Sequence, residues 1–151
     1  MKKSIFLCIL IIPLMFSCSS GPRKLVLPEL PMVSIQPKPE NAKSPFELTR
    51  KTYVAYIYKK WQKDRLYGIE LAVADCIKKN MDYLIYVEAD SEVEVKQWLT
   101  ELDYKYSVIW DKESLFREVN SETFEGYIGY IGYIINKDKE VLGIPTIQYR
   151  Q

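Results

Sequence analysis

The chain has 151 residues, of which 48% are hydrophobic and 13% aromatic, and its formal net charge is +1. This length and apolar content suit one globular domain with a buried core. The balanced charge gives no excess of Lys and Arg to displace counterions from phosphates, so we expect no nucleic-acid partner. Histidine is absent, which removes the commonest general base and metal ligand, and we expect no metal or other cofactor.

The first 17 residues have the form of an export signal. Lys2 and Lys3 supply its positive end, residues 5–16 form a short apolar stretch, and the small residue Ser17 precedes Cys18. The stretch is shorter than the roughly twenty apolar residues that a transmembrane helix needs. The pattern resembles a bacterial lipoprotein signal peptide with its lipidation site.

By that resemblance, residues 1–17 are removed, and Cys18 becomes the N-terminus and carries acyl chains that hold the protein on a membrane. An ordinary secretory signal that is cut nearby is the alternative. Ser19 in place of Asp after the lipidated cysteine resembles the outer-membrane default, so we expect an extracytoplasmic protein on the outer membrane, facing the periplasm. Cleavage leaves 19 basic against 20 acidic residues, a net charge of about −1.

Residues 18–45 are rich in proline, which disfavours helices and central strands. We assign them to the lipidated cysteine and a tether, which at about 3.1 Å per residue can reach several tens of Å from the membrane. Residues 46–151 then form the domain. Residues 25–35 are unusually apolar for a linker, and we expect them to fold back onto the sheet.

The first half of the domain alternates strand and helix. Residues 53–58 and 83–87 are continuous runs of aromatic and aliphatic residues, which is typical of buried strands. Between them, apolar residues recur at helical spacing and predict an amphipathic helix. Ser91 and Glu94 then have the spacing of a capping box, which predicts that a second helix begins there.

The second half continues the sheet. Residues 106–110 predict a third strand, and a short helix follows it. Residues 130–135 and 141–147 predict two strands joined by a polar turn. Near-continuous apolar strands between amphipathic helices, closed by a hairpin, predict an α/β fold with a mixed sheet.

This order of elements resembles the thioredoxin fold, in the version found in extracytoplasmic thiol oxidoreductases and peroxiredoxin-like proteins. Three stretches carry the resemblance: residues 53–65 with Trp61, residues 83–90, and the hairpin at residues 133–141. In the family, a Cys-x-x-Cys motif follows the tryptophan. Here Gln62 and Arg65 occupy those two positions, and neither can form a thiolate or a disulfide.

Two further departures concern the C-terminal part. The family has a cis-proline before the hairpin, whereas residues 129–132 contain no proline, and the family's C-terminal helix is missing from this sequence. We therefore expect a thioredoxin-like sheet whose exposed face is covered by residues 25–35, and where these fall short by a partner protein or a second copy of the chain.

Cys76 is the only thiol left once export removes Cys8 and lipidation occupies Cys18, so no intramolecular disulfide is expected. It lies on the apolar stripe of the first helix, as a small core residue does. A reactive thiol instead favours a helix N-terminus or a cationic neighbour. We expect Cys76 to be part of the core.

Twelve tyrosines include a repeat of Tyr127, Tyr130 and Tyr133. These rings either line the rim of the core or provide binding aromatics for a partner. The sequence thus predicts a redox-inactive, thioredoxin-like lipoprotein that acts as a binding or assembly module through a protein partner or self-association. The alternative is a thiol-dependent oxidoreductase or peroxiredoxin-like enzyme that acts through Cys76.

Overall fold

The computed structural model describes residues 21–36, 44–58, 65–124 and 132–145 of the chain. The strands in these residues are β1 (Met32–Val33), β2 (Thr52–Ile57), β3 (Asp82–Val87), β4 (Val108–Trp110), β5 (Gly132–Ile135) and β6 (Val141–Gly143). The helices are α1 (Arg65–Lys78), α2 (Glu92–Glu101), α3 (Leu115–Val119) and α4 (Ser121–Phe124). The strands form one sheet in the order β1-β4-β3-β2-β5-β6.

Two parallel crossovers build the centre of this sheet. β2 pairs in parallel with β3, and β3 pairs in parallel with β4, with α1 and α2 as the connections. β5 lies antiparallel to β2 and forms a hairpin with β6. The mixed α/β sheet that the sequence predicts is therefore confirmed.

Helices α1 and α2 pack on the same side of the sheet, which we call the helical face. The buried residues of α1 recur at helical spacing and include Leu66, Ile69 and Val73, while those of α2 include Val95 and Leu99. All five belong to one core cluster with alternate residues of the strands. Burial of each such side chain is worth roughly 1.5–3 kcal/mol, so packing on the sheet holds both helices in place.

Ser91 caps the start of α2 as predicted, and Glu94 returns a bond to the residue before the cap, Asp90. The Ser91 side chain accepts a hydrogen bond from the backbone N–H of Glu94 at 3.1 Å. The Glu94 carboxylate in turn accepts one from the backbone N–H of Asp90, also at 3.1 Å. Glu92 lies in the first turn, where a carboxylate favours the positive end of the helix dipole. These acidic residues therefore begin a helix, as their spacing predicts.

The other side of the sheet is covered by residues 23–33, here called the N-terminal segment, and by α3; we call this side the segment face. Leu25 is 1% exposed and Leu27 6%. Both share a core cluster with Val54 and Leu84 from the strands and with Phe116 from α3. The expectation that this part of the chain folds back onto the sheet is confirmed.

Hydrogen bonds trace the path of the N-terminal segment across the sheet. At the β6 edge, the Arg23 carbonyl accepts a bond from the backbone N–H of Val141 at 2.8 Å. Further along, the Pro28 carbonyl accepts one from the Tyr86 hydroxyl at 3.0 Å. The segment ends as β1, which pairs antiparallel with β4. Because the proline carbonyls still accept hydrogen bonds, an extended chain rich in proline can pack here.

The folded unit therefore includes part of residues 18–45, which the sequence predicts to be a tether. β1 even adds an edge strand to the sheet, ahead of the expected start of the domain at residue 46. Local pattern did not indicate it, because β1 has only two residues and depends on pairing with a strand far along the chain. Proline content alone does not distinguish a free linker from a docked one.

The predicted hairpin at the C-terminal end is described in part: residues 130–131 and 146–147 lie outside the described residues, and β6 ends at Gly143. β5 spans Gly132–Ile135 and β6 spans Val141–Gly143, where the sequence predicts 130–135 and 141–147. The predicted lack of a C-terminal helix concerns residues beyond 145, which lie outside the described residues. Within the described ranges, no helix is long and apolar enough to cross a membrane.

Candidate functional site

In the sequence, the two positions that resemble redox cysteines follow β2, and the second of them is the first residue of α1. Arg65 is the first residue of α1 and is half-buried, while Gln62 lies outside the described residues. In open α/β sheets this end, beyond the carboxyl ends of the parallel strands, is where ligands bind. The guanidinium at position 65 has no sulfur atom and cannot exchange a disulfide.

Cys76 lies in the core, away from that end of the sheet. It is 5% exposed and belongs to the cluster beneath α1. It is eleven positions beyond Arg65, which is about 16 Å along an α-helix. Burial raises the pKa of the Cys76 thiol, and the neighbouring Asp75 carboxylate raises it further, against a smaller opposite effect of Lys79. At neutral pH this thiol is protonated and is a poor nucleophile.

Of the three tyrosines proposed as binding aromatics, Tyr127 and Tyr130 lie outside the described residues. Tyr133 lies on β5 and is only 2% exposed. Its ring belongs to the core cluster of the segment face, beneath the N-terminal segment. Because alternate residues of a strand point to opposite faces, Tyr133 is directed into this covered layer and is a core residue, not an exposed binding aromatic.

A group of side chains that the sequence did not single out meets at the carboxyl ends of β2 and β3. We call Tyr56, Tyr58, Glu88 and Arg117 the strand-end cluster. The Tyr56 hydroxyl donates a hydrogen bond of 2.5 Å to Glu88 Oε2, and Arg117 Nε lies 3.9 Å from the same oxygen. The Arg117 guanidinium also lies 4.3 Å from the centroid of the Tyr58 ring, as a cation–π pair.

Helix α3 brings Arg117 to this cluster, and Asp111 fixes α3. The buried Asp111 carboxylate accepts hydrogen bonds from the backbone N–H groups of Leu115 and Phe116, both at 2.8 Å. The Phe116 ring in turn stacks on Tyr86, with 4.2 Å between centroids. A charged acceptor at the start of α3 and an aromatic contact beneath it thus position Arg117 over the strand ends.

Burial and hydrogen bonding determine what the strand-end cluster can do. Burial raises the pKa of the Tyr56 hydroxyl, and the hydrogen bond and charge of Glu88 raise it further, so Tyr56 stays protonated and donates. The Glu88 side chain is 13% exposed and already has two partners, whereas that of Arg117 is 47% exposed. The arrangement presents a fixed guanidinium beside aromatic rings, which suits recognition of a partner's polar groups.

The described residues contain no group of three or more His, Cys, Asp or Glu side chains placed to hold a metal ion. The sequence could have indicated only some members of the strand-end cluster. Tyr58 and Glu88 both follow the ends of adjacent buried strands, which places them at one edge of the sheet. Arg117 comes from a short helix whose position depends on Asp111, and no local pattern reports that contact.

The sequence matches no protein-family model and no curated protein. Several solved structures are similar in shape. A thioredoxin-like protein whose solution structure is of the oxidized form has a TM-score of 0.50 at 12% identity, over 81% of this chain and 84% of that one. A thiol:disulfide interchange protein of the thioredoxin family from Chlorobium tepidum has a TM-score of 0.48 at 15% identity, over 84% of this chain and 87% of that one. StoA from Bacillus subtilis has a TM-score of 0.49 at 11% identity, over 65% of this chain and 74% of that one.

At identities this low, a similar structure supports an assignment of the fold and nothing more. The fold assignment rests on the thioredoxin-like protein with the TM-score of 0.50. The chain has a thioredoxin-like fold, with a mixed sheet and helices, as the sequence predicts. Its three cysteines, Cys8, Cys18 and Cys76, are too far apart in sequence to form a Cys-x-x-Cys motif.

Proposed function

We propose that the protein is an extracytoplasmic lipoprotein, anchored by acyl chains on Cys18, whose thioredoxin-like domain binds a partner and performs no thiol–disulfide exchange. The membrane is the outer membrane, and the domain faces the periplasm. The support for the anchor is the export signal and the small residue before Cys18. The partner is a protein or a second copy of the chain.

The burial of Cys76 carries the redox-inactive part of the proposal. Thiol exchange requires a thiolate that reaches a disulfide of another molecule. Cys76 is 5% exposed, its pKa is raised by burial, and it lies about 16 Å along α1 from the end of the helix at which the family has its cysteines. Arg65 at that end cannot replace a cysteine.

The strand-end cluster supports a binding role at the same end of the sheet. Its aromatic rings and the guanidinium of Arg117 are residue types enriched where proteins meet. Asp111 fixes the backbone at the start of α3, so less backbone entropy is lost there when a partner is bound. The site thus retains the location that a thioredoxin-like domain uses for contact, without thiols.

An insulin-reduction assay tests the redox-inactive part. Protein of residues 19–151 is incubated with insulin and dithiothreitol, and turbidity is followed against a matched Cys76→Ser variant. We expect both proteins to give the rate of dithiothreitol alone. Reduction that depends on Cys76 contradicts the proposal and supports a thiol-dependent enzyme.

Fatty-acid labelling of cells that make the full chain tests the anchor. Labelled palmitate is expected to enter the wild-type protein, and the Cys18→Ala variant is expected to remain an unlabelled precursor or a soluble protein. Cys76→Ser is the matched control and should be labelled as the wild type is. Undiminished labelling and membrane attachment of Cys18→Ala would rule out the anchor.

A further inference from the structure

The distance between the proposed anchor and the folded domain is short. Arg23 is already bonded to β6, so only residues 19–22 separate the domain from Cys18. A fully extended chain spans at most about 3.6 Å per residue, so Cys18 and Arg23 are at most about 18 Å apart. The tether cannot carry the domain several tens of Å from the membrane, as residues 18–45 could if all of them were free.

The chain after Arg23 is fixed firmly enough for this limit to hold. The backbone N–H of Leu25 donates to the Lys139 carbonyl at 2.9 Å. The Asn120 side chain makes two hydrogen bonds of 2.8 Å to the backbone of Val26: it accepts one from the N–H and donates one to the carbonyl. With Leu25 buried below them, the first bond holds the segment to the β5–β6 hairpin and the other two hold it to the end of α3.

The surface around this point combines basic side chains with one exposed apolar side chain. We call Arg23, Lys24, Lys137, Lys139 and Leu142 the β6-edge surface. All five are exposed, and Leu142 is an apolar side chain with 51% of its surface accessible. Asp138 and Glu140 are the acidic residues of the hairpin, and Glu140 pairs with Lys24 at 3.6 Å. Among the described residues of this edge, four basic side chains stand against Asp138, Glu140 and the exposed Glu122, which adjoins the Thr123 that bonds Lys24, so the balance is positive by one charge.

We infer that the β6-edge surface lies on the phospholipid headgroups, so that the anchor orients the domain and does not merely retain it. The inference rests on the proposed acylation of Cys18. Anionic headgroups attract the Lys and Arg side chains, and Leu142 can enter the interfacial region. β1 lies five strand spacings away from β6, about 24 Å, so the β1–β4 edge faces away from the bilayer.

A photo-crosslinking experiment tests the orientation. A maleimide-linked lipid is attached to Cys18 of residues 18–151 carrying Cys76→Ser, and the protein is placed on vesicles of phosphatidylethanolamine and phosphatidylglycerol. Benzoylphenylalanine replaces Leu142 in one sample and Val93 in another. Val93, in α2, is 75% exposed against 51% for Leu142, so lower lipid labelling at position 93 cannot come from lower exposure.

Crosslinks to phospholipid are expected at position 142 and only at background level at position 93. Equal lipid labelling at both positions, or crosslinks from position 142 to a second copy of the chain in place of lipid, would overturn the orientation. Because the anchor is attached chemically, this result does not depend on acylation in cells. Palmitate labelling of Cys18 therefore tests the proposed function separately.

Charge reversal tests the basic residues. Lys137→Glu with Lys139→Glu is expected to reduce lipid crosslinking at position 142 several-fold. Lys105→Glu with Lys112→Glu makes the same change in net charge at the other edge and is expected to have no effect. Equal effects of the two pairs would contradict a specific headgroup contact, and a circular-dichroism spectrum checks that each variant is folded.

Discussion

Replacing Leu25 by alanine is expected to destabilise the domain strongly, although the residue lies in a stretch that reads as a linker. The side chain is 1% exposed and packs in the core cluster of the segment face. Truncation of a buried leucine to alanine costs about 2–5 kcal/mol, because apolar contacts are lost and a cavity remains. At roughly 4 °C per kcal/mol, the melting temperature should fall by about 8–20 °C.

The matched control is Val26→Ala, one residue further along the chain. Val26 is 53% exposed, so its truncation should change the free energy of unfolding by no more than about 0.5 kcal/mol. Urea unfolding of residues 19–151, followed by circular dichroism, gives both values, and an unchanged dependence on urea shows that the same surface is exposed. If the two variants are equally stable, the N-terminal segment is not docked and the reasoning is refuted.

Three further outcomes follow from contacts of single residues. Gly132→Ala should destabilise the domain by about 1–3 kcal/mol, because a Cβ there lies 2.7 Å from the ring of the buried Tyr53. Gly143 has open space around it, so Gly143→Ala should leave the free energy of unfolding unchanged in the same urea assay. Equal effects of the two substitutions would refute this reasoning. Asn120→Ala should cost about 1–3 kcal/mol by leaving its partners in the N-terminal segment unpaired, and unchanged thermal unfolding would contradict that. Burial raises the pKa of Tyr86, so above pH 10.0 the unfolded chain releases a proton that the folded chain keeps, and stability should fall as the pH rises further. Tyr86→Phe should make the fall of stability with pH less steep. An identical slope in both proteins would exclude this contribution of Tyr86.

The central elements were predictable because their signals are local. The continuous apolar runs at residues 53–58 and 83–87 correspond to β2 and β3, and the helical stripe between them corresponds to α1 with Cys76 on its buried side. A strand buried on both faces and a helix buried on one differ in period, and the sequence records that period directly. The capping box of α2 is equally local, since Ser91 and Glu94 are three residues apart.

The N-terminal segment and the strand-end cluster depend on contacts between distant parts of the chain. The apolar content of residues 25–35 indicated docking, but only the pairing of β1 with β4 determines which edge the segment reaches. Arg117 reaches Glu88 because Asp111 positions α3, a contact that has no periodic signal. For Tyr133 the repeat with other tyrosines left two roles open, at the rim of the core or in binding, and the alternation of β5 directs it into the core.

The reactivity of Cys76 in the folded protein most directly tests whether this thioredoxin-like domain lacks thiol chemistry. Residues 19–151 contain a single cysteine, so the rate of modification by a soluble aromatic disulfide reports on that thiol alone. Because the thiol is buried and its pKa is raised, modification at neutral pH should require opening of the structure and be at least about a hundredfold slower than in urea-unfolded protein. Modification of the folded protein at the rate of the unfolded one would contradict the account.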